Sequence, residues 1–305
     1  MINRDISIIF KMIGILVIPV VLYSQEGFNW YHTFGSSNSE IFSTGILTAD
    51  GGAILFGVTD HYYQGTKDLL IIKCDADGEE EWRQAFPEEL TEVGTDVLQM
   101  EDGGYLMVGG KEHHPRGEAL LLRLNEEGER VWDRRFGDEA GASFSDVYPL
   151  QNGDFVLTGN FGGVRGSGWI MVVNDIGIPS ISIRLEDYGI IDAVLTQDEE
   201  IILLGADLNV RKLDLEGEEI WSTYIGENRG SYRDYRQIAL CSDGGIVIPY
   251  GSRRDFQNES IDVIKLDDDG EVVWEQSNRL GQIDTDNLLI TEVEEGRLLL
   301  ASISA

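Results

Sequence analysis

Arg229, Tyr232, Arg233, Tyr235 and Arg236, followed by Arg253, Arg254 and Phe256, put five guanidinium groups and three aromatic rings into one short stretch of a 305-residue chain. A guanidinium pairs bidentately with a carboxylate or sulfate, and it stacks on rings, so Arg with Tyr is chemistry for an anionic group or a sugar. The competing reading is that these arginines neutralise Asp234, Asp255 and Glu259 beside them. A second group is His61-Tyr62-Tyr63 and His113-His114-Pro115-Arg116, which together hold all but one of the four histidines. A metal needs convergent ligands, and adjacent His113 and His114 do not easily face one ion. These residues read as secondary candidates on a solvated loop.

Catalytic patterns are weaker. No Gly-x-Ser-x-Gly elbow, His-Glu-x-x-His pair or phosphate-binding glycine loop occurs. Paired acids for glycoside hydrolysis stand ~5–10 Å apart. With 55 acidic residues, some pair meets that by chance, so the criterion singles out none. No catalytic residue, cofactor or metal ligand set is therefore named. Structural Ca²⁺ is the one ion with candidate ligands: Asp75/Asp77 and Asp267–Asp269 look briefly like calcium-loop fragments, without the downstream bidentate Glu. Cys74 and Cys241 occupy apolar positions of different repeats and read as unpaired core residues.

The elements that must position these groups come from a repeat of about fifty residues. A turn glycine is followed four residues later by Trp at Gly78/Trp82, Gly128/Trp132, Gly217/Trp221 and Gly270/Trp274, and by Ile at Gly177/Ile181; Trp30 matches without its glycine. Each period holds four strand-like runs, in the first copy Phe42–Thr48, Ala53–Thr59, Asp68–Asp75 and Glu79–Phe86. The second and third runs are nearly all apolar, as in strands covered on both faces. The fourth alternates, with Trp82, Gln84 and Phe86 on one face. Four antiparallel strands cannot bury two apolar faces alone, whereas sheets packed radially can.

The units Asp50-Gly51-Gly52, Asp68–Asp75, Gly78 and Trp82, and Asp102-Gly103-Gly104-Tyr105, Leu120–Asn125, Gly128 and Trp132, resemble those of secreted bacterial β-propeller proteins. Their tails are also similar to the tryptophan motif of quinoprotein-like propellers. The resemblance runs from about Trp30 to the C-terminus and implies an all-β propeller of four-stranded antiparallel blades. About six blades are represented, and the last is incomplete: Asn287–Val293 and Leu298–Ser302 have no third strand after them. Asn29–Phe34 reads as an isolated fourth strand. The resemblance implies no quinone. In such propellers the loops joining strands two to three, and four to the next blade, usually carry the binding site.

Residues 1–24 read as a secretory signal, with Arg4 and Lys11 before the apolar run Met12–Tyr23, leaving residues 25–305 as the propeller. That run is short of the ~20 residues of a spanning helix. Loss of Arg4, Lys11 and Asp5 leaves 21 basic and 54 acidic residues, a net charge of −33. Such a surface repels nucleic acid and anionic lipid. The expectation is a secreted or cell-surface, non-catalytic binding or scaffold module for an extracellular protein or polysaccharide. The alternative is a polysaccharide-active enzyme, a glycoside hydrolase or lyase, with its site at the central channel.

Overall fold

The computed structural model describes residues 34, 40–59, 68–86, 92–111, 117–137, 141–162, 166–226, 233–235, 237–255, 258–278, 288–294 and 296–302. The proposed signal segment lies outside them. Every element is a strand. The first sheet is the meander β1 (Glu40–Leu47), β2 (Ala53–Thr59), β3 (Asp68–Cys74) and β4 (Glu80–Phe86). The second is β5 (Glu92–Gln99), β6 (Tyr105–Lys111), β7 (Ala119–Leu124) and β8 (Arg130–Phe136). The third blade runs through β9 (Ala142–Pro149), β10 (Phe155–Phe161), β11 (Ser167–Val173) and β12 (Pro179–Leu185). The fourth is β13 (Ile190–Leu195), β14 (Ile201–Gly205), β15 (Asn209–Leu213) and β16 (Glu219–Tyr224). In the fifth, the first strand is split into β17 (Arg233–Tyr235) and β18 (Ala239–Leu240), ahead of β19 (Ile246–Asp255), β20 (Asn258–Leu266) and β21 (Val272–Asn278). A hairpin of β22 (Leu288–Glu294) and β23 (Arg297–Ser302) follows. Where the residues are described, the expected strands are met within one or two residues, and the blades are antiparallel and four-stranded as expected; the proposed strand Asn29–Phe34 lies outside the described residues except for Phe34.

The chain divides into two compact units, residues 1–147 and 148–305, with β9 running through the division. In the first unit, every residue of β2 and β3 is buried, while β4 alternates towards solvent. Ile54, Phe56, Leu69 and Ile71 of one blade meet Val97, Tyr105, Met107 and Leu122 of the next, with Trp82 and Phe86 closing the seam. In the second unit, one core lies between blades three and four and another between four and five. Period-two alternation explains this: Ile201 and Leu203 belong to one core, Ile202 and Leu204 to the other.

Ten turns of identical design close the strand pairs at one end of each blade. In each, the first residue's N–H donates to the fifth residue's carbonyl, and the fourth residue's N–H donates to the first residue's carbonyl, as in Thr48–Gly52 and Asp75–Glu79. The fourth residue needs positive φ. It is glycine in nine turns, and Glu199 takes φ 61° in the tenth. In the second turn of a blade this glycine also receives the preceding blade's indole. A Cβ on Gly128 would lie 2.5 Å from the Trp82 ring, and one on Gly270 would lie 2.6 Å from Trp221. The third blade departs in an instructive way. Ile181 holds the Trp register, opposite Val172 as Trp82 is opposite Lys73. Yet the side chain that covers Gly217 is Ile183, two residues along the same face. A short Ile at position 181 does not reach the glycine, so its neighbour does.

Candidate functional site

Most charged groups that the repeat brings together serve the scaffold. The third strands carry Lys73, Arg123, Lys212 and Lys265, all nearly buried. Each reaches a carboxylate of the tight turns. Lys73 Nζ lies 2.8 Å from Asp50 and 2.7 Å from Glu81, Lys265 lies 2.6 Å from Asp243, and Arg123 pairs with Asp102. Lys212 bridges Glu200 at 2.6 Å and Asp268, one blade on, at 2.7 Å. Against the penalty of its partial burial, the bonds from Lys73, Thr48 and the Gly52 N–H bring Asp50 down to about 2. The second glycine of Asp-Gly-Gly makes room for the cation, since a Cβ on Gly52 would lie 2.8 Å from Lys73 Nζ. In blade three Val172 replaces the cation and the turn reads Asn152-Gly153-Asp154, whereas blade four keeps the cation, Lys212, with Glu200 in the place of the second glycine.

The calcium-like carboxylates are also engaged. Asp75 Oδ1 accepts from the N–H groups of Asp77 and Glu79, each at 2.9 Å. Asp267 Oδ1 accepts from Glu271 N–H at 2.8 Å. Asn125 and Asn174 make the equivalent bond in their turns, so the position needs a side-chain oxygen and no charge. Among the described residues, no three His, Cys, Asp or Glu side chains gather as metal ligands would. Both cysteines are free and buried, and burial raises Cys74 to about 12.

The first strands hold a second set of bridges. A β-bulge interrupts β1, β5 and β13 at equivalent places. The bulge hydroxyls of Ser43 and Thr95 lie 2.5 Å from Gly94 O and 2.9 Å from Phe144 O of the next blade. The residue after the bulge accepts from the next blade's backbone: Asp96 from Val147 N–H at 3.0 Å, and Asp192 from Ile238 N–H at 2.6 Å. Gln237 accepts similarly from Ile290 N–H at 3.2 Å. Although Asp96 as a residue is only half-buried, its carboxyl is enclosed, and desolvation raises it to about 6 despite bonds from Val147 and Val97. Its folded value exceeds the unfolded one near 3.8. Its contribution to stability is therefore full below that value and lost as the pH rises through about 6. Asp96→Asn is expected to flatten the wild-type loss of urea resistance between pH 4 and 6.5. Parallel pH profiles for the two proteins would contradict that assignment.

The opposite end of each blade carries the connections between strands two and three and between successive blades. The ten tight turns contain 22 acidic residues and no lysine or arginine. The arginine-rich stretch lies at the other end, in blade five. Arg233 was expected in a loop and Tyr235 in a loop or within the first strand; both lie in β17, paired with Ser252 and Tyr250. Arg253 and Arg254, expected in a loop, lie in β19, with Arg253 opposite Glu259. The β19–β20 hairpin runs on to Asp255/Asn258, and β19 has ten residues where β2, β6 and β10 have seven. The result is a three-stranded arm that no other blade shows among the described residues. Arg233 shares a register level with Ser252, and Arg253 is the next residue along, so the two arginines occupy adjacent levels on opposite faces of the ribbon. Arg229, Tyr232, Arg236, Phe256, His61, Tyr62, Tyr63, His113, His114 and Arg116 lie outside the described residues.

Two cation–aromatic stacks escape the sequence reading. The Arg184 guanidinium sits 4.5 Å over the Phe161 ring, which itself lies 4.4 Å from Trp169. The Arg211 guanidinium sits 4.1 Å over Tyr188. Tyr188 fills the space left by the short connection of blade four. Its hydroxyl lies 3.1 Å from Leu203 O and 2.9 Å from Asn209 O, and its ring crowds Gly205. The brevity of the 206–208 connection was visible in the sequence, but nothing marked Tyr188 as its filler.

These features can be set beside known structures. The chain is similar to puromycin hydrolase, with a TM-score of 0.58 at 14% identity, over 90% of this chain and 45% of that one. It therefore spans less than half of that protein's length. It is similar to BamB from Moraxella catarrhalis, with a TM-score of 0.51 at 13% identity, over 98% and 96% of the two chains. The propeller of Dos1 gives 0.53 at 11% identity, over 88% and 63%. No family model and no curated protein matches the sequence. Likeness at such identities speaks to architecture alone, and with the repeated antiparallel blades it establishes that the chain folds as a β-propeller.

Proposed function

We propose that this chain is an exported, non-catalytic binding module whose loop end recognises a polysaccharide bearing carboxylate or sulfate groups. The observation that carries the reading is the blade-five arm. Among the described residues, blade five has the longest second and third strands, and this extension places Arg233, Arg253 and Arg254 at neighbouring register positions of one ribbon in a protein that is otherwise strongly acidic. The acidic tight turns at the other end of blades four and five, in the same unit, repel the same ligand and favour approach from the loop end. Support for binding over catalysis comes from the shifted carboxylates: Asp50, Asp96 and Asp243 each serve a turn or a blade seam. Puromycin hydrolase, as its name states, is a hydrolase, and the polysaccharide-active reading is the rival. A glycan array probed with the chain after signal removal, with and without Ca²⁺, separates them. Saturable binding to acidic glycans that falls at least about tenfold in Arg233→Ala or Arg253→Ala is expected. Binding unchanged in both variants would sink the arm as the site. Cleavage of the bound glycan would favour the enzyme, and a folded chain that binds no glycan would point to a protein partner.

A further inference from the structure

Arg211 differs from the other strand cations of its unit. Lys212 and Lys265 contact carboxylates directly, at 2.6–2.7 Å. Arg211 stands 3.8 Å from Asp207 and 3.9 Å from Glu219, beyond hydrogen-bond reach of both. Its position is nevertheless well defined. The ring beneath it belongs to buried Tyr188, whose hydroxyl is tied to two carbonyls. The carboxylates are oriented too. Asp207 accepts from Asn209 N–H at 3.1 Å and from Asn209 Nδ2 at 2.7 Å, and Glu219 Oε1 accepts from the Ser222 hydroxyl at 2.8 Å. The second Glu219 oxygen is the one that faces Arg211. All three charged side chains reach solvent, with 31%, 35% and 46% of Arg211, Asp207 and Glu219 exposed. Tyr224 is opposite Asn209 and Ser222 is opposite Arg211, so Tyr224 is a diagonal neighbour on the same face of the β15–β16 pair. Its ring is 51% exposed.

We propose that the Arg211–Tyr224 face of blade four is a binding site for an uncharged sugar. Neither pair, at 3.8 and 3.9 Å, is a direct hydrogen bond, so a hydroxyl placed beside it, about 2.8 Å from each atom, accepts from the guanidinium and donates to the carboxylate. Arg211 offers two such pairs, one with Asp207 and one with Glu219, for two hydroxyls of one ring. Two carboxylates around one guanidinium leave the patch net negative, which disfavours phosphate, sulfate and uronate. The intervening guanidinium likewise disfavours a metal cation. Tyr224, the exposed diagonal neighbour, whose ring lies over Gly226, provides a flat apolar surface for the C–H face of a pyranose. The site is separate from the blade-five arm and does not depend on what the arm binds.

Titration calorimetry of the full chain with glucose, galactose, mannose and N-acetylglucosamine tests this directly. At least one sugar is expected to saturate in the millimolar range. Arg211→Ala and Tyr224→Ala should each weaken it about tenfold or more, while Arg83→Ala, in a surface pair with Glu80, leaves it unchanged. Inorganic phosphate should not compete. No saturation with any of the four sugars at about 100 mM would overturn the proposal, as would binding that survives both substitutions or is displaced by phosphate. Should Arg211→Ala fail to fold, Tyr224→Ala and Glu219→Gln, both at exposed positions, decide the matter by the same criterion.

Discussion

Trp82→Ala is expected to cost about 3–5 kcal/mol, the range for deleting a large aromatic from a packed seam. The indole closes the core between the first two blades, meets Tyr105 edge-on with ring centroids 6.0 Å apart, and covers Gly128. Gly128→Ala should cost about 2–4 kcal/mol, combining left-handed backbone strain of roughly 1–2 kcal/mol with overpacking of roughly 1–3 kcal/mol. The informative protein is the double variant. Removing the indole clears the space the new methyl needs, so only the strain at φ 77° remains from the second change. The combined loss should fall short of the sum of the two by at least about 1 kcal/mol. Urea denaturation followed by circular dichroism measures all three. Strict additivity would mean that the glycine is required for its dihedral alone and that the indole contact contributes nothing through it.

The buried cations should show an asymmetric response. Lys73 has three protons and three acceptors: Asp50, Glu81 and, at 2.9 Å, the Cys74 carbonyl. Replacing both Asp50 and Glu81 with Ala leaves an enclosed ammonium with only that carbonyl, at a cost of about 3–5 kcal/mol. Lys73→Met should cost less than about 1 kcal/mol, because it removes the charge that needs partners while Asp50 and Glu81, about half exposed, turn to water. Blade three shows the fold tolerating the change, with Val172 at that register. The pH dependence follows from Asp50, whose folded value near 2 is below its unfolded one near 3.8. Its contribution is present above about 4 and fades as the pH falls through 2, and Lys73→Met should reduce that fading, the bonds from Thr48 and the Gly52 N–H remaining. Denaturation midpoints at pH 7 and pH 2.5 provide the check. A Lys73→Met variant as unstable as the double Ala variant would show that the ion pair itself holds the blade.

The repeat, its four strands and its turns were legible in the sequence because they rest on local chemistry. Glycine at positive φ, alternation in the fourth strand and continuous apolar runs in the second and third need no knowledge of neighbours. The buried status of both cysteines followed from the same register logic. What required the tertiary structure is whatever joins residues about fifty positions apart. Nothing local marks Asp96 as the acceptor for Val147, Ile183 as the cover for Gly217, or Lys212 as the partner of Asp268. In the calcium-like fragments the carboxylates were visible in the sequence, but that Asp75 and Asp267 accept N–H groups of their own turns was not. The arginines of blade five were visible as a group, but their placement in an extended ribbon depends on long-range pairing between β17, β19 and β20. Arg211 was invisible for the corresponding reason: a guanidinium becomes a candidate ligand only when the ring beneath it and the carboxylates around it are fixed by separate segments. Sequence by itself determined the blades, whose hydrogen bonds run between neighbouring segments. Tertiary structure decided the seams and the sites, because their partners come from different blades and connections and are brought together only by packing.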